Sequence, residues 1–504
     1  MPQSDPLRIR ARALLDARGV AWPNEDPTLS DVEITLRPLP GRPLCTLESV
    51  RTFPRDAHSA HPDADSLAHD HHDQPPLVDL GDAVLLPGFV NAHAHLDLTH
   101  IGPKPFDPSP GDAAFVRWAG SIAAARLHDR HDIAHSVTLG VERSLRGGVV
   151  ALGDIAGADN RAEPAAFHTL AESPLAGVSF IELFGLGDRA KAAADAAQRL
   201  AESLAASPPP DHAHHADLRT SWSFQPHAPY SAGLHLYRHI ARLVAAGLTD
   251  ASLLCTHLAE TPAERAFVEN ADGPFIGLLQ SLGVLDEHAL DNVGKARSPV
   301  EHLAPVIDTA PTLLAHLNDV SDADIDRLAR LQRHWRHAAR RMASDAIGGV
   351  AYCPRASEYF HHHTHFGPHR YLDMIHAGVN VAIGTDSIVN LPPDQADRLS
   401  PLDDARLLYR RDRAHPALLI AMLTIYGARA LGLPERLFTW PPAAAATPAP
   451  IAGPVAIAVP TDPDDVLHAA FDSDAPPTLL WDGEQWNVRP TASRPPAASQ
   501  PKPA

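Results

Sequence analysis

Cysteine is scarce in this chain of 504 residues, which contains only Cys45, Cys255 and Cys353. These three are too few and too widely spaced for a disulfide framework, so a reducing compartment, the cytoplasm, is the predicted location. No apolar run reaches the roughly 18 residues that a transmembrane helix needs. The N-terminus also lacks a basic stretch followed by an apolar segment, so no secretory signal is predicted.

Positive charge is scarce as well. The chain has 42 Lys and Arg residues against 61 Asp and Glu residues, a formal net charge of −19. Such a balance opposes non-specific binding to nucleic acid or to an anionic membrane. We therefore expect neither of those partners, and a homodimer is left open. The chain also lacks the Pro-Cys-x-x-Cys motif of zinc enzymes that act on nucleic-acid bases, so the expected substrate is a free small molecule.

Apolar strand-like runs alternate with Ala- and Leu-rich helical stretches from Leu85 to about Leu433. This alternation predicts βα units and a parallel sheet, and eight repeats predict a closed (β/α)₈ barrel. Because the span exceeds a minimal barrel, Ser298–Pro311 and Arg330–Ala346 are predicted insertions. The predicted strands are Val84–His95, Gly148–Asp154, Gly177–Phe184, Leu218–His227, Ser252–His257, Thr312–His316, Gly349–Cys353 and Val379–Asp386.

Two segments outside these repeats lack apolar periodicity. His58–Gln74, rich in Asp and His, is predicted to be a mobile surface loop, with a metal-capturing His tract as the alternative. Ala492–Ala504, at the C-terminal end, is predicted to be a disordered tail.

Polar side chains stand at the ends of the predicted strands, where barrel enzymes place their chemistry. His93 and His95 lie one residue apart on the first strand, so both imidazoles point to the same side. The chain repeats His-x-His elsewhere among its 32 histidines, so this pair alone proves little. The convergence carries the argument, since the other strand ends supply His227, His257, His316 and Asp386.

Three histidines and one carboxylate form a plausible metal site. His93, His95 and His257 supply nitrogen ligands and Asp386 an oxygen, a set that suits Zn²⁺, with Fe²⁺ as the alternative. Metal-bound water ionises near neutral pH and gives a hydroxide nucleophile. The four lysines do not end any predicted strand, which argues against a two-metal centre bridged by a carboxylated lysine and favours one metal per chain.

The catalytic acid–base groups are predicted from their position near these ligands. Glu260, three residues after His257, is suited to shuttle protons, and His316 to orient the nucleophile. A solvated helix-start acid is the alternative for Glu260, and a structural histidine is the alternative for His316 and for His227. Arg355 is a candidate to hold an anionic or polar substrate group, with a surface ion pair as the alternative.

The motifs resemble those of the amidohydrolase superfamily, in its cytosine deaminase-like and chlorohydrolase-like branch. The matching segments, in order, are Pro87–His95, Pro226–Ser231, His257–Thr261, Ala315–Leu317 with Ser321-Asp322, Cys353–Arg355, Gly378–Ser387 and Gly427–Gly432. Short matches at Phe115–Trp118, Phe180–Glu182, Pro262–Glu264 and Gly273–Phe275 are similar to aminodeoxyfutalosine deaminases. Ala356-Ser357 departs from the Ser-Asn that usually follows Cys-Pro-Arg.

The resemblance implies a distorted (β/α)₈ TIM barrel with a small β-sandwich built from both chain ends. The domains are then 1–84 and 434–491 for the sandwich, 85–433 for the barrel and 492–504 for the tail. His93, His95, His257 and Asp386 would bind the metal, and Glu260, His316 and Asp386 would act in catalysis. His227, Arg355 and Trp118 would bind substrate.

The predicted activity is deamination of an amino-substituted nitrogen heterocycle, purine- or nucleoside-like, through a metal-bound hydroxide that releases ammonia. Hydrolysis of a C–Cl bond or a cyclic amide at the same site is the alternative. A relative that kept the fold but lost the activity would lack some of the metal-binding side chains. All of them are present here, which argues against a non-enzymatic scaffold.

Overall fold

The computed structural model describes residues 5–21, 30–54, 74–157, 164–206, 218–342, 346–442, 448–461 and 465–489. The predicted His-rich loop, apart from Gln74, and the predicted tail lie outside these residues. Within the described residues, no helix combines the length and apolar character needed to cross a membrane.

The first strands belong mainly to sheets formed by the chain ends. They are β1 (Leu7–Ala11), β2 (Ala13–Asp16), β3 (Gly19–Val20), β4 (Ser30–Leu39), β5 (Leu44–Pro54), β6 (Leu77–Asp79) and β7 (Ala83–Leu86). The next eight are β8 (Phe89–Ala94), β9 (Val149–Ala156), β10 (Ala176–Leu183), β11 (Thr220–Pro226), β12 (Leu254–Leu258), β13 (Thr312–His316), β14 (Gly349–Tyr352) and β15 (Val381–Ile383). The last three are β16 (Ala449–Ala452), β17 (Val455–Ala458) and β18 (Thr478–Leu479).

Helices fill most of the intervals between the parallel strands. They begin with α1 (Ala114–Ala125), α2 (Arg130–Arg146), α3 (Ala165–Glu172), α4 (Arg189–Ala206), α5 (Leu234–Ala245), α6 (Pro262–Asn270), α7 (Pro274–Ser281) and α8 (Pro299–Ile307). They continue with α9 (Asp322–Met342), α10 (Pro354–Tyr359), α11 (His363–Phe366), α12 (Tyr371–His376), α13 (Pro401–Asp412), α14 (Pro416–Leu423), α15 (Ile425–Leu431) and α16 (Val466–Asp472).

Strands β8 to β15 form two parallel four-stranded sheets, ordered β8-β9-β10-β11 and β12-β13-β14-β15. Every residue of β9 is buried, as are all those of β10 and β12, so these strands are largely apolar and do not alternate between buried and exposed residues. The predicted α/β class with parallel strands is confirmed.

Hydrogen bonds also run between these two sheets. The His257 amide donates to the His227 carbonyl oxygen (2.9 Å), which joins β12 to the end of β11. On the other side, the amides of Thr385 and Asp386 donate to the His93 carbonyl oxygen, each at 3.0 Å. The carboxyl ends of β8 and β15 therefore lie side by side.

The chain ends form two five-stranded sheets, ordered β16-β5-β4-β1-β6 and β18-β17-β7-β2-β3. In β4 the alternating residues Val32, Ile34 and Leu36 are buried on one face. On the other face Asp31 and Glu33 are also buried, and only Arg37 is exposed. Buried apolar residues of both sheets share one cluster, to which β1, β4, β7 and β17 contribute. The strands on both sides of the parallel sheets thus associate with each other.

Two predictions about elements were wrong. The predicted strand Val84–His95 is two strands, β7 and β8, in different sheets. Its break falls at Pro87-Gly88, because Pro87 has no backbone N–H to donate to a neighbouring strand. Gly88 is needed at this crossing, because a Cβ there would collide with the Val150 side chain and the Gly453 carbonyl oxygen.

The predicted insertions Ser298–Pro311 and Arg330–Ala346 contain α8 and the second half of α9, helices that connect successive parallel strands. In α9, Leu328, Leu331, Trp335 and Ala339 are buried, at a spacing that puts them on one face.

Candidate active site

Six predicted site residues converge at the carboxyl ends of the parallel strands. His93 lies near the end of β8, with His95 just beyond it, and His257 lies in β12. His316 ends β13, Glu260 follows β12, and Asp386 follows β15. All six are at least nine-tenths buried.

The four predicted ligands are close enough to share one ion. The Asp386 Oδ1 atom lies 3.4 Å from His95 Nε2 and 4.0 Å from His93 Nε2, and His257 Nε2 lies 3.3 Å from His95 Nε2. Ligand atoms of His93, His95 and Asp386 all lie within 4.8 Å of one another. Those of His93, His257 and His316 do so as well, which makes His316 a further nitrogen at the same centre.

The donor atoms fit a divalent cation. Among the described residues, His93 is fully buried and neither of its ring nitrogens has a hydrogen-bond partner; His95 Nδ1 has none either. Burial lowers the pKa of His257 to about 3 and keeps the pKa of His93 and His95 well below the usual histidine value. Neutral imidazoles with free lone pairs are what a metal ion requires.

Neighbouring groups orient these ligands. The Asn390 side-chain amide donates to Asp386 Oδ2 (2.8 Å), which leaves Oδ1 facing the histidines. His257 Nδ1 lies 3.2 Å from the His227 carbonyl oxygen, so a proton on Nδ1 directs the Nε2 lone pair toward the centre. Such outer contacts fix ligand orientation in metal sites.

Glu260 and His316 face each other beside the ligands. Glu260 Oε1 lies 3.6 Å from His316 Nε2, and ligand atoms of both residues lie within 4.8 Å of one from Asp386. Burial, then the charges of Asp386 and Glu264, raises the pKa of Glu260 well above its usual value. Glu260 therefore holds a proton readily until a cation or substrate changes its surroundings.

The backbone around these residues adopts rare conformations. His316 (φ 77°), Asp386 (φ 57°) and Ala259 (φ 52°) all have left-handed φ values, as does Leu317. Non-glycine residues adopt this region at a cost and mainly at functional sites, where the surrounding structure enforces it. Here it aims the side chains that leave β12, β13 and β15 at one point.

His227 lies beside the ligand set and contacts Glu182, one of two charged residues that strand-end reasoning missed. Its ring centroid is 4.9 Å from that of His257, and its Nε2 lies 3.7 Å from Glu182 Oε1. Arg126 bridges Glu182 (2.7 Å) and Asp97 (3.6 Å). Glu182 stands near the end of β10, so the same strand-end reasoning could have found it, whereas Arg126 follows a helix and carries no sequence signal.

Arg355 is engaged by protein groups. Its guanidinium pairs with Asp404 (2.8 Å) and donates to the Ser400 carbonyl oxygen (3.1 Å) and to Gln395 (3.3 Å). It is buried, so the geometry favours the ion-pair alternative, away from the surface, over substrate binding.

Trp118 lies in an aromatic cluster. Its indole N–H donates to the Tyr359 hydroxyl (3.0 Å), and its ring centroid is 4.7 Å from that of Phe360. The structure therefore places Trp118 against the segment that follows β14.

Comparison with known proteins identifies the family to which the chain belongs. The sequence profile of the amidohydrolase family matches residues 84–437. The chain is 28% identical to an aminodeoxyfutalosine deaminase of Deinococcus radiodurans, over 61% of this chain and 65% of that protein, so it spans slightly less than two thirds of that relative. It is 25% identical to a 5-methylthioadenosine/S-adenosylhomocysteine deaminase of Moorella thermoacetica, over 72% of each.

A solved structure has a similar fold. An adenosine deaminase from Xanthomonas campestris with bound zinc superimposes with a TM-score of 0.59 at 18% identity, over 97% of this chain and 94% of that one. At this identity the likeness shows a shared TIM-barrel-like α/β fold.

Proposed function

Because the chain belongs to the amidohydrolase family, we propose that it is a metal-dependent deaminase of an amino-substituted purine, nucleoside or related nitrogen heterocycle, and that it releases ammonia. The observation that carries the proposal is the convergence of His93, His95, His257 and Asp386 beside the Glu260–His316 pair. The curated relatives named above are deaminases of adenosine-like compounds, which supports this substrate class.

The proposed architecture is a closed, distorted barrel over 85–433 flanked by a β-sandwich from 1–84 and 434–491. Hydrogen bonds at both junctions between the parallel sheets support closure of the barrel. The apolar cluster shared by the two five-stranded sheets supports the sandwich. A homodimer and a cytoplasmic location stay predictions.

One Zn²⁺ per chain is the proposed cofactor, held by His93, His95, His257 and Asp386. The three nitrogens and one oxygen match the ligands zinc takes in catalytic sites. When bound, the metal supplies a nucleophile near neutral pH by lowering the pKa of a water molecule. A bound cation would also keep the Asp386 carboxylate ionised, although burial, partly offset by hydrogen bonds from Ser387 and Asn390, raises the pKa of Asp386 to about 7.

The residues around the metal would hold and move protons. Glu260, whose pKa is raised by burial, would donate its proton to a ring nitrogen of the substrate, take up a proton that the attacking water releases, and pass it to the departing amino group. His316 would stabilise the negative charge that develops opposite Glu260. His227 would contact the substrate from the side of Glu182, and Trp118 would border it; the ion pairs of Arg355 leave it a structural role in this proposal.

Replacing Glu260 by Gln tests the acid–base role. The substitution keeps the shape but removes the transferable proton, so we expect near-normal zinc content and turnover lower by about two orders of magnitude or more. Metal content is measured by elemental analysis and turnover by ammonia release. Glu269→Gln, on the partly exposed face of α6, is the matched control and should leave both values unchanged. Unchanged turnover in the Glu260 variant would remove this role.

A further inference from the structure

The backbone that carries His316 turns sharply where β13 ends. His316 (φ 77°) and Leu317 (φ 51°) are consecutive left-handed residues, and neither is glycine. A residue with a Cβ is strained in this region and stays there only when its surroundings enforce it. The turn directs the His316 imidazole at Glu260, with 3.6 Å between Nε2 and Oε1. Contacts to this turn therefore decide where the His316 side chain lies.

A second histidine, His369, makes one of these contacts. Its Nε2 atom lies 2.9 Å from the main-chain carbonyl oxygen of His316. His369 lies between α11 and α12, after Gly367 (φ 74°) and Pro368, and this bend in the chain brings it back to the end of β13. Because a carbonyl oxygen can only accept, His369 carries its proton on Nε2 and donates it to His316.

The surroundings of His369 fix its ring and its charge. The ring stacks on that of Tyr352, with 3.6 Å between the centroids and 10° between the planes. The Tyr352 hydroxyl in turn accepts a hydrogen bond from Arg411 (3.1 Å). Burial, partly opposed by the bond to the His316 carbonyl oxygen, lowers the pKa of His369 to about 4. The imidazole is therefore neutral near pH 7, and its single N–H is used on His316.

Glu260, the partner of His316, is held by a separate contact. The Asn318 side-chain amide donates to the Glu260 carbonyl oxygen (3.1 Å), and the Ser357 hydroxyl donates to Asn318 Oδ1 (2.6 Å). The bond from His369 thus acts on one member of the Glu260–His316 pair, while the other keeps its own support.

We propose that His369 is a positioning residue, which holds the His316 imidazole opposite Glu260 through its hydrogen bond to the His316 carbonyl oxygen. The inference rests on the proposed deaminase function, because it assigns His369 to the same site. The bond is made to the main chain, so His369 acts on the reaction only through His316. A displacement of about 1 Å in a catalytic group can lower a rate about 100-fold. Because His316 acts on charge that develops during the reaction, its displacement should lower kcat more than it weakens substrate binding.

Two amide substitutions separate the hydrogen bond from the polarity of the side chain. Gln places its amide N–H groups near the position of the histidine Nε2, whereas the shorter Asn places them near that of Nδ1. We expect His369→Gln to keep kcat within about threefold of the unmodified chain. In His369→Asn, kcat should fall about 10- to 100-fold and KM should stay within about twofold. Position 369 is partly exposed, so both variants should fold.

Turnover is measured as ammonia release by the zinc-loaded full chain, at a series of concentrations of the adenosine-type nucleoside that it accepts. Zinc content and the calorimetric stoichiometry of product binding give the fraction of intact sites. The kcat per intact site therefore excludes a loss that only reflects unfolded protein. The matched controls are His239→Gln and His239→Asn, at a partly buried position on α5, and they should leave kcat and KM unchanged.

Crystal structures of the two variants give a measurement that does not depend on turnover. In His369→Asn the His316 imidazole should move from its place beside Glu260 by about 1 Å or more, the displacement that a large loss of rate requires. In His369→Gln it should keep its separation of 3.6 Å from Glu260.

The outcomes separate this inference from the proposed function. Equal kcat in the Asn and Gln variants, a raised KM with unchanged kcat, or a His316 ring that stays in place in the Asn variant would overturn the positioning role. Ammonia release by the unmodified chain together with any of these results would leave the deaminase function intact. If the unmodified chain releases no ammonia from any amino-heterocycle, the proposed function fails, and the two crystal structures still decide whether His369 positions His316.

Discussion

A buried histidine outside the proposed metal site, His302, makes the free energy of unfolding depend on pH. His302, in α8 and away from the proposed ligands in sequence, is 3% exposed, and burial lowers its pKa to about 4. The unfolded chain titrates its histidines near pH 6.5. Between pH 6.5 and 4 the unfolded state therefore binds a proton that the folded state does not, so this stabilisation is complete above pH 6.5 and is lost as the pH falls.

We predict that His302→Leu flattens the pH dependence of the unfolding free energy between pH 6.5 and 4. The slope should fall by up to about 1.4 kcal/mol per pH unit. Denaturant titrations at a series of pH values measure it, with the exposed His131→Leu as control. The same slope in the His302 variant and the unmodified chain would contradict the assigned burial effect.

At the residue scale the sequence predicted which side chains would converge. His93, His257, His316 and Asp386 each lie at or near the end of a predicted strand, and parallel strands bring such ends to one edge. Asn390 and Arg126 could not be found this way. Each lies outside a strand, on a segment whose path depends on tertiary packing, and only the folded chain shows that Asn390 bonds Asp386.

At the scale of elements, one buried pair links β8 to the residue before Asp386. The Asn91 side chain donates to the Thr385 hydroxyl (2.8 Å) and accepts the Thr385 amide (3.0 Å), and Asn91 is fully buried. This contact positions a proposed metal ligand from a strand that is distant in sequence.

We predict that Asn91→Ala destabilises the protein by about 1–3 kcal/mol, because it removes two buried hydrogen bonds to Thr385, whose amide then keeps only the His93 carbonyl oxygen. It should also weaken zinc binding about 10- to 100-fold, as loss of a group that orients a ligand does. Denaturant unfolding measures the first effect and competition with a chelator the second. The exposed Asn270→Ala is the control; zinc affinity unchanged in the Asn91 variant would show that this pair does not position Asp386.

Element boundaries were less predictable than the elements themselves. The apolar run from Val84 to His95 continues through a change of sheet, and hydrophobic pattern alone cannot show which sheet a buried strand joins. Of the helices predicted as insertions, α9 has long polar stretches and a narrow apolar face, whereas α8 is short and mostly apolar, with seven of its nine residues buried. Their place between successive strands follows from packing.

At the scale of the molecule, the proposed ligands join strands from both parallel sheets. His93 belongs to one sheet, His257 to the other, and Asp386 follows the last strand of the second. A metal ion bound here would therefore connect the two halves of the parallel region, and it would bind the folded state in preference to the unfolded chain.

Zinc removal should consequently destabilise the whole protein. With free zinc about 1,000-fold above its dissociation constant, binding contributes about 4 kcal/mol. We predict that a chelator lowers the unfolding temperature and that one equivalent of zinc per chain restores it, measured by calorimetry. An unfolding temperature that is restored only by two equivalents of zinc would contradict the single-metal proposal. In His93→Ala, which removes a ligand, the unfolding temperature should no longer respond to zinc.

The most direct test of the proposed function is ammonia release by the zinc-loaded chain from a panel of amino-purines, adenosine-type nucleosides and pterins. We predict that at least one adenosine-type nucleoside gives one ammonia per molecule consumed, together with the corresponding deaminated product. Chloride or a ring-opened product from the alternative substrates, with no ammonia from any amino-heterocycle, would contradict it.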